Sequence, residues 1–116
     1  MSHTTKVQTT LTDSSAIIET ARRLGLECEC GVHQLYDKTT VEGYAVKLQG
    51  WLYPIIIKED GSIAYDNYGG QWGNEAKLQQ FQQEYAATIT ERELAMAGFR
   101  MEREMVEGNL VIRAVR

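Results

Sequence analysis

The chain has 116 residues, a length that supports one hydrophobic core and predicts a single domain spanning residues 1–116. Its 43% hydrophobic and 24% charged residues are typical of a soluble globular protein, and no window approaches the roughly 18 to 20 apolar residues of a membrane span. The net charge of −4, without a basic run, argues against a nucleic-acid partner. The N-terminus lacks the basic-then-apolar order of a secretory signal, so we expect a cytoplasmic protein.

A strand and a helix are predicted at the start of the chain. Apolar residues alternate with Thr and Gln from Val7 to Leu11, as they do in a strand. The segment "TDSSAIIETARRLG" predicts a helix, because Thr12 or Asp13 can cap its N-terminus and Gly25 can end it. Its apolar face consists of Ile17, Ala21 and Leu24.

Two cysteines lie in the next predicted strand, "LECEC", where Leu26, Cys28 and Cys30 alternate with glutamates. Neighbouring same-face positions of one strand are about 6.6 to 7 Å apart, which is a poor separation for a disulfide. The C-x-C spacing also differs from a redox C-x-x-C, and no second pair completes a zinc site. We therefore expect both cysteines to be small buried residues and not ligands.

The middle of the chain predicts a third strand and a hairpin. After an irregular stretch, the segment "VEGYAVKLQGW" has the alternation of a strand. In "YPIIIKEDGSIAYDN", Asp60 and Gly61 separate two strand-like runs, and this dipeptide accepts the positive φ angles of a tight turn. Pro54 is expected at the start of a strand or on an edge, because it cannot donate a hydrogen bond to a ladder.

A long helix and a second hairpin complete the predicted elements. The helix is predicted from Asn74, which can cap it, to Ala97, and Gly98 stops it. The β-branched run Thr88–Thr90 weakens its middle and predicts a bend or a break. Finally, "FRMEREMV" and "NLVIRAV" flank a Glu-Gly dipeptide and predict a closing hairpin.

This order of elements predicts an α+β fold. Strands, one helix, more strands, a second helix and a final hairpin favour a two-layer sandwich: a mostly antiparallel sheet with two helices on one face. The segments "RRLGLECE" and "AMAGFRMERE" both end a helix at glycine and resume with a large apolar residue. This similarity suggests two related helix–strand units.

A search for catalytic groups finds no convincing set. His3 and His33 are the only histidines, and a Cys30–His33–Asp37 arrangement can be imagined, but nothing in the sequence orients it. The chain lacks dinucleotide-binding, phosphate-loop, zinc-protease, calcium-loop and nucleophile-elbow motifs. We therefore assign no catalytic residue and no metal ligand, and we expect no cofactor.

The stretch "YDNYGGQWG" is the strongest candidate for a functional surface. It has glycines before a predicted helix N-terminus, where free N–H groups attract anions, but it lacks the lysine and spacing of a nucleotide loop. Its aromatic rings suit a small core and a protein interface equally. We expect Tyr65 to pack in the hairpin, while Tyr68 and Trp72 are the candidate protein-contact residues.

The ends of the chain carry a family resemblance. In order, "MSHTTKVQTTLTD", "ETARRLGLE", "YPIIIKEDGSIAYDNYGGQWG", "QQEYAATITERELAMAGF" and "EGNLVIRAV" resemble the family called hypothetical chloroplast reading frame thirty-five, a domain of unknown function found in cyanobacteria and algal plastid genomes. The chain departs from this pattern at "AATITEREL", where members carry a further aromatic and a basic residue. The resemblance implies no established activity and no catalytic residue. It implies a cyanobacterial, plastid or related phage context, with the cytoplasm or plastid stroma as location and an accessory role around photosynthesis or its regulation.

Three functional hypotheses follow. The first is a small non-enzymatic accessory protein that binds another protein through Tyr68 and Trp72. The second is a small-molecule-binding protein or enzyme that uses the sheet face, with His33 and the Tyr68–Trp72 loop at its mouth. The third is a homo-oligomer formed through an edge strand.

Overall fold

The computed structural model describes residues 4–7, 11–34, 38, 40–66, 71 and 73–115. Within these residues the chain forms two helices and seven strands. Their order is β1 (Thr4–Val7), α1 (Ser14–Arg23), β2 (Cys28–Gln34), β3 (Thr40–Val46), β4 (Ile55–Ile57), β5 (Ile63–Asp66), α2 (Glu75–Met96), β6 (Arg100–Val106) and β7 (Asn109–Val115).

The first five strands form one sheet in the order β1-β5-β4-β3-β2, and every neighbouring pair is antiparallel. Both helices pack on the same face of this sheet, so the α+β prediction is confirmed. The core between them consists of Leu11, Ala16, Ile17, Ala21, Val46, Leu48, Trp51, Ile55, Ile57, Ile63, Tyr65, Leu78, Phe81 and Tyr85. A smaller buried cluster of Ala45, Ile56 and Ala64 lies on the opposite face.

Local sequence signals explain both helix ends. The Asp13 side chain accepts a hydrogen bond from the Ala16 N–H at 3.0 Å, and the Asn74 side chain caps α2 in the same way. At the C-terminus of α1, the Leu26 N–H donates to the Ala21 carbonyl at 2.8 Å across Gly25. The Phe99 N–H donates to Leu94 in the same pattern after α2, which makes the two helix–strand junctions alike.

The hairpin around Asp60 and Gly61 forms as predicted. Gly61 has φ of 86°, and the Lys58 N–H donates to the Ser62 carbonyl at 2.8 Å. The Asp60 carboxylate accepts hydrogen bonds from both the hydroxyl and the N–H of Ser62, which lower the pKa of that carboxyl. Pro54 precedes the first residue of β4, at a strand start as expected.

Three predictions about element bounds were wrong. The first strand is β1, and Leu11, the last residue of the predicted strand, lies outside it with a buried side chain, while residues 8–10 are outside the described part of the chain. The first part of the stretch predicted to be irregular, residues 31–34, belongs to β2, which pairs with β3 as far as Gln34 because backbone pairing does not require apolar side chains. No break occurs at Thr88–Thr90, because Thr88 is buried and its hydroxyl donates to the Glu84 carbonyl within the helix.

The closing hairpin of β6 and β7 forms as predicted, but as a separate two-stranded sheet. It lies along α2 instead of joining the five-stranded sheet. Its turn residues Glu107 and Gly108 have φ of 51° and 81°, the two positive values of a two-residue hairpin turn. We call this element the β6–β7 hairpin.

Candidate functional site

The two predicted contact residues, Tyr68 and Trp72, lie outside the described residues. The two ends of the stretch "YDNYGGQWG", Tyr65 and Gly73, both contribute to core packing. Tyr65 is buried and its ring makes an edge-on contact with Trp51, with 5.4 Å between ring centroids. Burial and the neighbouring Glu75 carboxylate raise the pKa of the Tyr65 hydroxyl. The expectation that Tyr65 packs in the hairpin is confirmed.

Gly73 provides space for a tryptophan. A Cβ atom at Gly73 would lie 2.3 Å from the Trp51 indole ring, far inside van der Waals contact. The Trp51 indole N–H also donates to the Asn74 carbonyl at 3.1 Å, next to the start of α2. The glycine before this helix is therefore needed for core packing, and nothing about it requires a phosphate ligand.

The imagined Cys30–His33 pair does not assemble. In the β2–β3 ladder Cys30 is opposite Tyr44, a neighbour of the main core, whereas His33 is opposite Val41, which packs on the smaller cluster. The two side chains therefore lie on opposite faces of the sheet. The His33 Nε2 atom lies 3.1 Å from the Glu29 carbonyl oxygen, and Asp37 and His3 are outside the described residues.

The two cysteines differ in solvent exposure. Cys28 is partly buried against the main core, and burial, followed by the neighbouring Cys30, raises the pKa of its thiol. Cys30 is exposed, so the prediction that both cysteines are buried was wrong for this residue. The reason is that the helices cover the sheet face at Cys28 but leave its continuation toward Cys30 open.

This uncovered part of the sheet forms a cleft beside the start of α1, which we call the Tyr44 cleft. Its volume is about 320 Å³, near the lower limit for a small-molecule site. Leu11, Ile17, Tyr44 and Ile57 supply apolar lining. Ser14, Cys30, Glu42, Lys58 and Glu59 supply polar groups. Sequence reasoning missed this cleft, because its lining comes from segments that only the fold brings together.

The β6–β7 hairpin carries the second candidate surface. Met105 is 65% exposed and Val106 is 44% exposed, and both lie next to the turn. Met105 and Leu110 also line a groove of about 570 Å³ between the hairpin and α2, with Lys77 and Gln83 on the helix side. We call Met105 and Val106 the hairpin end.

An ion-pair network holds this hairpin against α2. Arg103 contacts Glu84 at 2.8 Å and Glu91 at 2.5 Å, and Glu91 also contacts Arg23 of α1 at 3.5 Å. Burial acts to lower the pKa of the Arg103 guanidinium, but hydrogen bonds to Glu84 and Glu91 outweigh it and raise the pKa. The elements α1, α2 and β6 are therefore connected through two arginines and two carboxylates.

Among the described residues, no three His, Cys, Asp or Glu side chains lie together in a way that could hold a metal ion. Neither described helix combines the length and the apolar character needed to cross a membrane.

Comparisons with known proteins add no assignment. No protein-family model, no curated protein and no solved structure gives a significant match to this chain. The family resemblance and the Tyr68 and Trp72 contact therefore stay predictions.

Proposed function

We propose that this chain is a small non-enzymatic accessory protein that acts by binding another protein. The observation that carries the proposal is the exposed apolar hairpin end on an arm that is anchored to α2. The family resemblance adds a cyanobacterial, plastid or phage context to the proposal.

The composition of the hairpin end suits a protein contact. Methionine is enriched in protein interfaces, and its flexible side chain adapts to different partner surfaces. Here Met105 and Leu110 line a groove together with the polar residues Lys77 and Gln83. Apolar groups combined with polar ones are usual in an interface.

Anchoring of the hairpin lowers the cost of binding. A mobile arm would lose conformational entropy when a partner docks, whereas an arm already held by Arg103 loses less. The face of the hairpin that contains Met101, Leu110 and Ile112 is partly buried, which adds apolar contact to the ion pairs. The hairpin end is therefore presented on a preorganised support.

The test is a comparison of captured partners. Tagged wild type and the double variant Met105→Ser/Val106→Ser are expressed in the native host, and captured proteins are quantified by mass spectrometry. Ile18→Ser is the matched control, because Ile18 is an exposed apolar residue on α1, 51% accessible. A purified partner is then titrated against each variant.

We expect at least a tenfold weaker Kd for the double variant, which is about 1.4 kcal/mol, and an unchanged Kd for Ile18→Ser. Equal binding by wild type and the double variant would remove the hairpin end as the contact. Tyr68→Ala/Trp72→Ala, tested in parallel, shows whether the contact predicted from sequence contributes to the same partner.

The Tyr44 cleft favours a second candidate function, binding of a small molecule. Its apolar floor and its mixed rim of Ser14, Lys58 and Glu59 suit a compact, partly polar ligand. Thermal-shift screening of a metabolite set tests this idea, with Tyr44→Ala as the comparison. A ligand that stabilises both proteins equally does not occupy the cleft.

A further inference from the structure

The outer edge of β7 is an open strand edge. Within the described part of the chain, β7 pairs only with β6, and none of the backbone hydrogen bonds outside regular elements involves residues 109–115. Open edges pair readily with other strands unless charged side chains, proline or bulges protect them. The two strands of the hairpin differ sharply in this protection.

Strand β6 is protected by charge. Its seven residues include four charged ones, Arg100, Glu102, Arg103 and Glu104. An antiparallel pair of β6 strands centred on Arg103 would place Arg103 opposite its own copy and Glu102 opposite Glu104. Like charges directly opposite each other destabilise a ladder, so this edge disfavours self-pairing.

Strand β7 lacks that protection. Among its residues, "NLVIRAV", Arg113 is the only charged one, and β-branched residues dominate the centre. An antiparallel pair centred on Ile112 places Ile112 opposite its copy, Val111 opposite Arg113 and Leu110 opposite Ala114. No like charges meet in this register, and aliphatic cross-strand pairs stabilise it.

The backbone of β7 also favours this register. In a hairpin with a two-residue turn, the pair beside the turn, here Val106 and Asn109, exchanges both hydrogen bonds. The backbone N–H and C=O groups of successive residues in a strand point alternately to its two sides. The N–H and C=O groups of Leu110, Ile112 and Ala114 therefore point away from β6. A register centred on Ile112 therefore places these free backbone groups opposite the equivalent groups of the second copy, where they can form hydrogen bonds.

We propose that two copies of this chain form a dimer through antiparallel pairing of their β7 strands. The two hairpins then make one four-stranded sheet in the order β6-β7-β7-β6, with a twofold axis at Ile112. This dimer uses the edge of β7 and leaves Met105 and Val106, which belong to β6, on the outer strands. It is independent of the proposed partner binding.

The first test measures mass in solution by light scattering and sedimentation over a range of concentrations. We expect wild type to reach twice the monomer mass of 13.1 kDa. Ala114→Pro removes an outward N–H at an exposed position and is expected to be monomeric, whereas Ala114→Val keeps that N–H and is expected to dimerise. A wild-type chain that stays monomeric, or an Ala114→Pro variant that dimerises like wild type, overturns the proposal.

The second test does not depend on the proline variant folding. Ile112→Cys is made in a Cys28→Ser/Cys30→Ser background, where directly opposed Cα atoms about 5.5 Å apart permit a disulfide between copies. Arg113→Cys in the same background is the control, because its own copy is not directly opposite. Rapid cross-linking of Ile112→Cys alone supports the register, and equal cross-linking of both variants contradicts it.

Discussion

Arg103 on β6 donates hydrogen bonds to both carboxylate oxygens of Glu84 on α2, at 2.8 and 3.0 Å. Glu84 is only 8% exposed, although it carries a charge and lies in the middle of a helix. A buried carboxylate needs a partner, and here the partner comes from the hairpin. This contact explains how a two-stranded hairpin, which is marginally stable by itself, keeps its place on the molecule.

Replacing Arg103 by alanine should lower the free energy of unfolding by about 2 kcal/mol, because it leaves the Glu84 carboxylate buried without its partner. Urea unfolding measures the change. Arg92→Ala is the control: Arg92 pairs with Asp13 at 3.7 Å, and both side chains are well exposed. That variant should lose less than about 1 kcal/mol. Equal losses would show that the buried position of Glu84 has no special effect.

Gly43→Ala should destabilise the sheet. A Cβ atom there would lie 2.2 Å from the Ile57 carbonyl oxygen on the neighbouring strand β4, and that backbone atom cannot move aside easily. Gly31→Ala is the matched control, because Gly31 also has a positive φ, 145°, but has open space around its Cβ position. We expect Gly43→Ala to cost about 1 to 3 kcal/mol more than Gly31→Ala in chemical denaturation. Equal destabilisation by Gly43→Ala and Gly31→Ala would mean that backbone strain, and not the contact with Ile57, accounts for the loss.

Gly73→Ala should disturb the environment of Trp51, since the added methyl group would overlap the indole ring. In a Trp72→Phe background, Trp51 is the only tryptophan, and its fluorescence and near-ultraviolet circular dichroism report the change directly. We expect a red-shifted emission and a weaker near-ultraviolet signal. An unchanged spectrum would show that the ring has room to move.

The stability of α1 should depend on acid pH through Glu19. The hydrogen bond from Arg22, opposed by burial and assisted by Arg23, lowers the pKa of the Glu19 carboxyl from 4.5 to about 2. A pKa that is lower in the folded chain contributes stability above pH 4.5, and this contribution disappears as the pH falls toward 2. The Tm difference between wild type and Glu19→Gln should therefore be constant from pH 5.5 to 7 and shrink below pH 4.5. A difference that does not change with pH would exclude this origin.

The two thiols should react at different rates with an alkylating agent. Cys30 is exposed, whereas Cys28 is partly buried and its thiol pKa is raised by burial and by Cys30. Because the thiolate is the reactive form, mass spectrometry should find one fast modification, at Cys30. Cys30→Ser should lose the fast phase and Cys28→Ser should keep it. A ligand in the Tyr44 cleft should slow the alkylation of Cys30, because Cys30 lines that cleft.

Some features could be predicted from short segments alone. The caps at Asp13 and Asn74, the helix stops at Gly25 and Gly98 and the two hairpin turns depend on residues within a few positions of each other. Such signals act through local hydrogen bonds and allowed φ angles, which are the same in any surrounding structure. The α+β class followed from the order of these elements.

Other features needed contacts between distant segments. Leu11 is buried in the core and not part of β1, and Thr88 packs within a continuous α2 where the β-branched run predicts a break. The hairpin of β6 and β7 lies on α2 because Arg103 meets Glu84, nineteen positions earlier in the chain. No local pattern encodes such a meeting.

The candidate sites also separate into features set by local sequence and features set by contacts between distant segments. Sequence by itself determined where turns and helix caps occur, since each depends on the chemistry of a few adjacent residues. Only the tertiary structure decided that Cys30 and His33 lie on opposite faces, that Gly73 makes room for Trp51, and that the Tyr44 cleft and the hairpin end are accessible. The physical reason is that burial and proximity are properties of the packed chain, and they depend on every element that surrounds a residue.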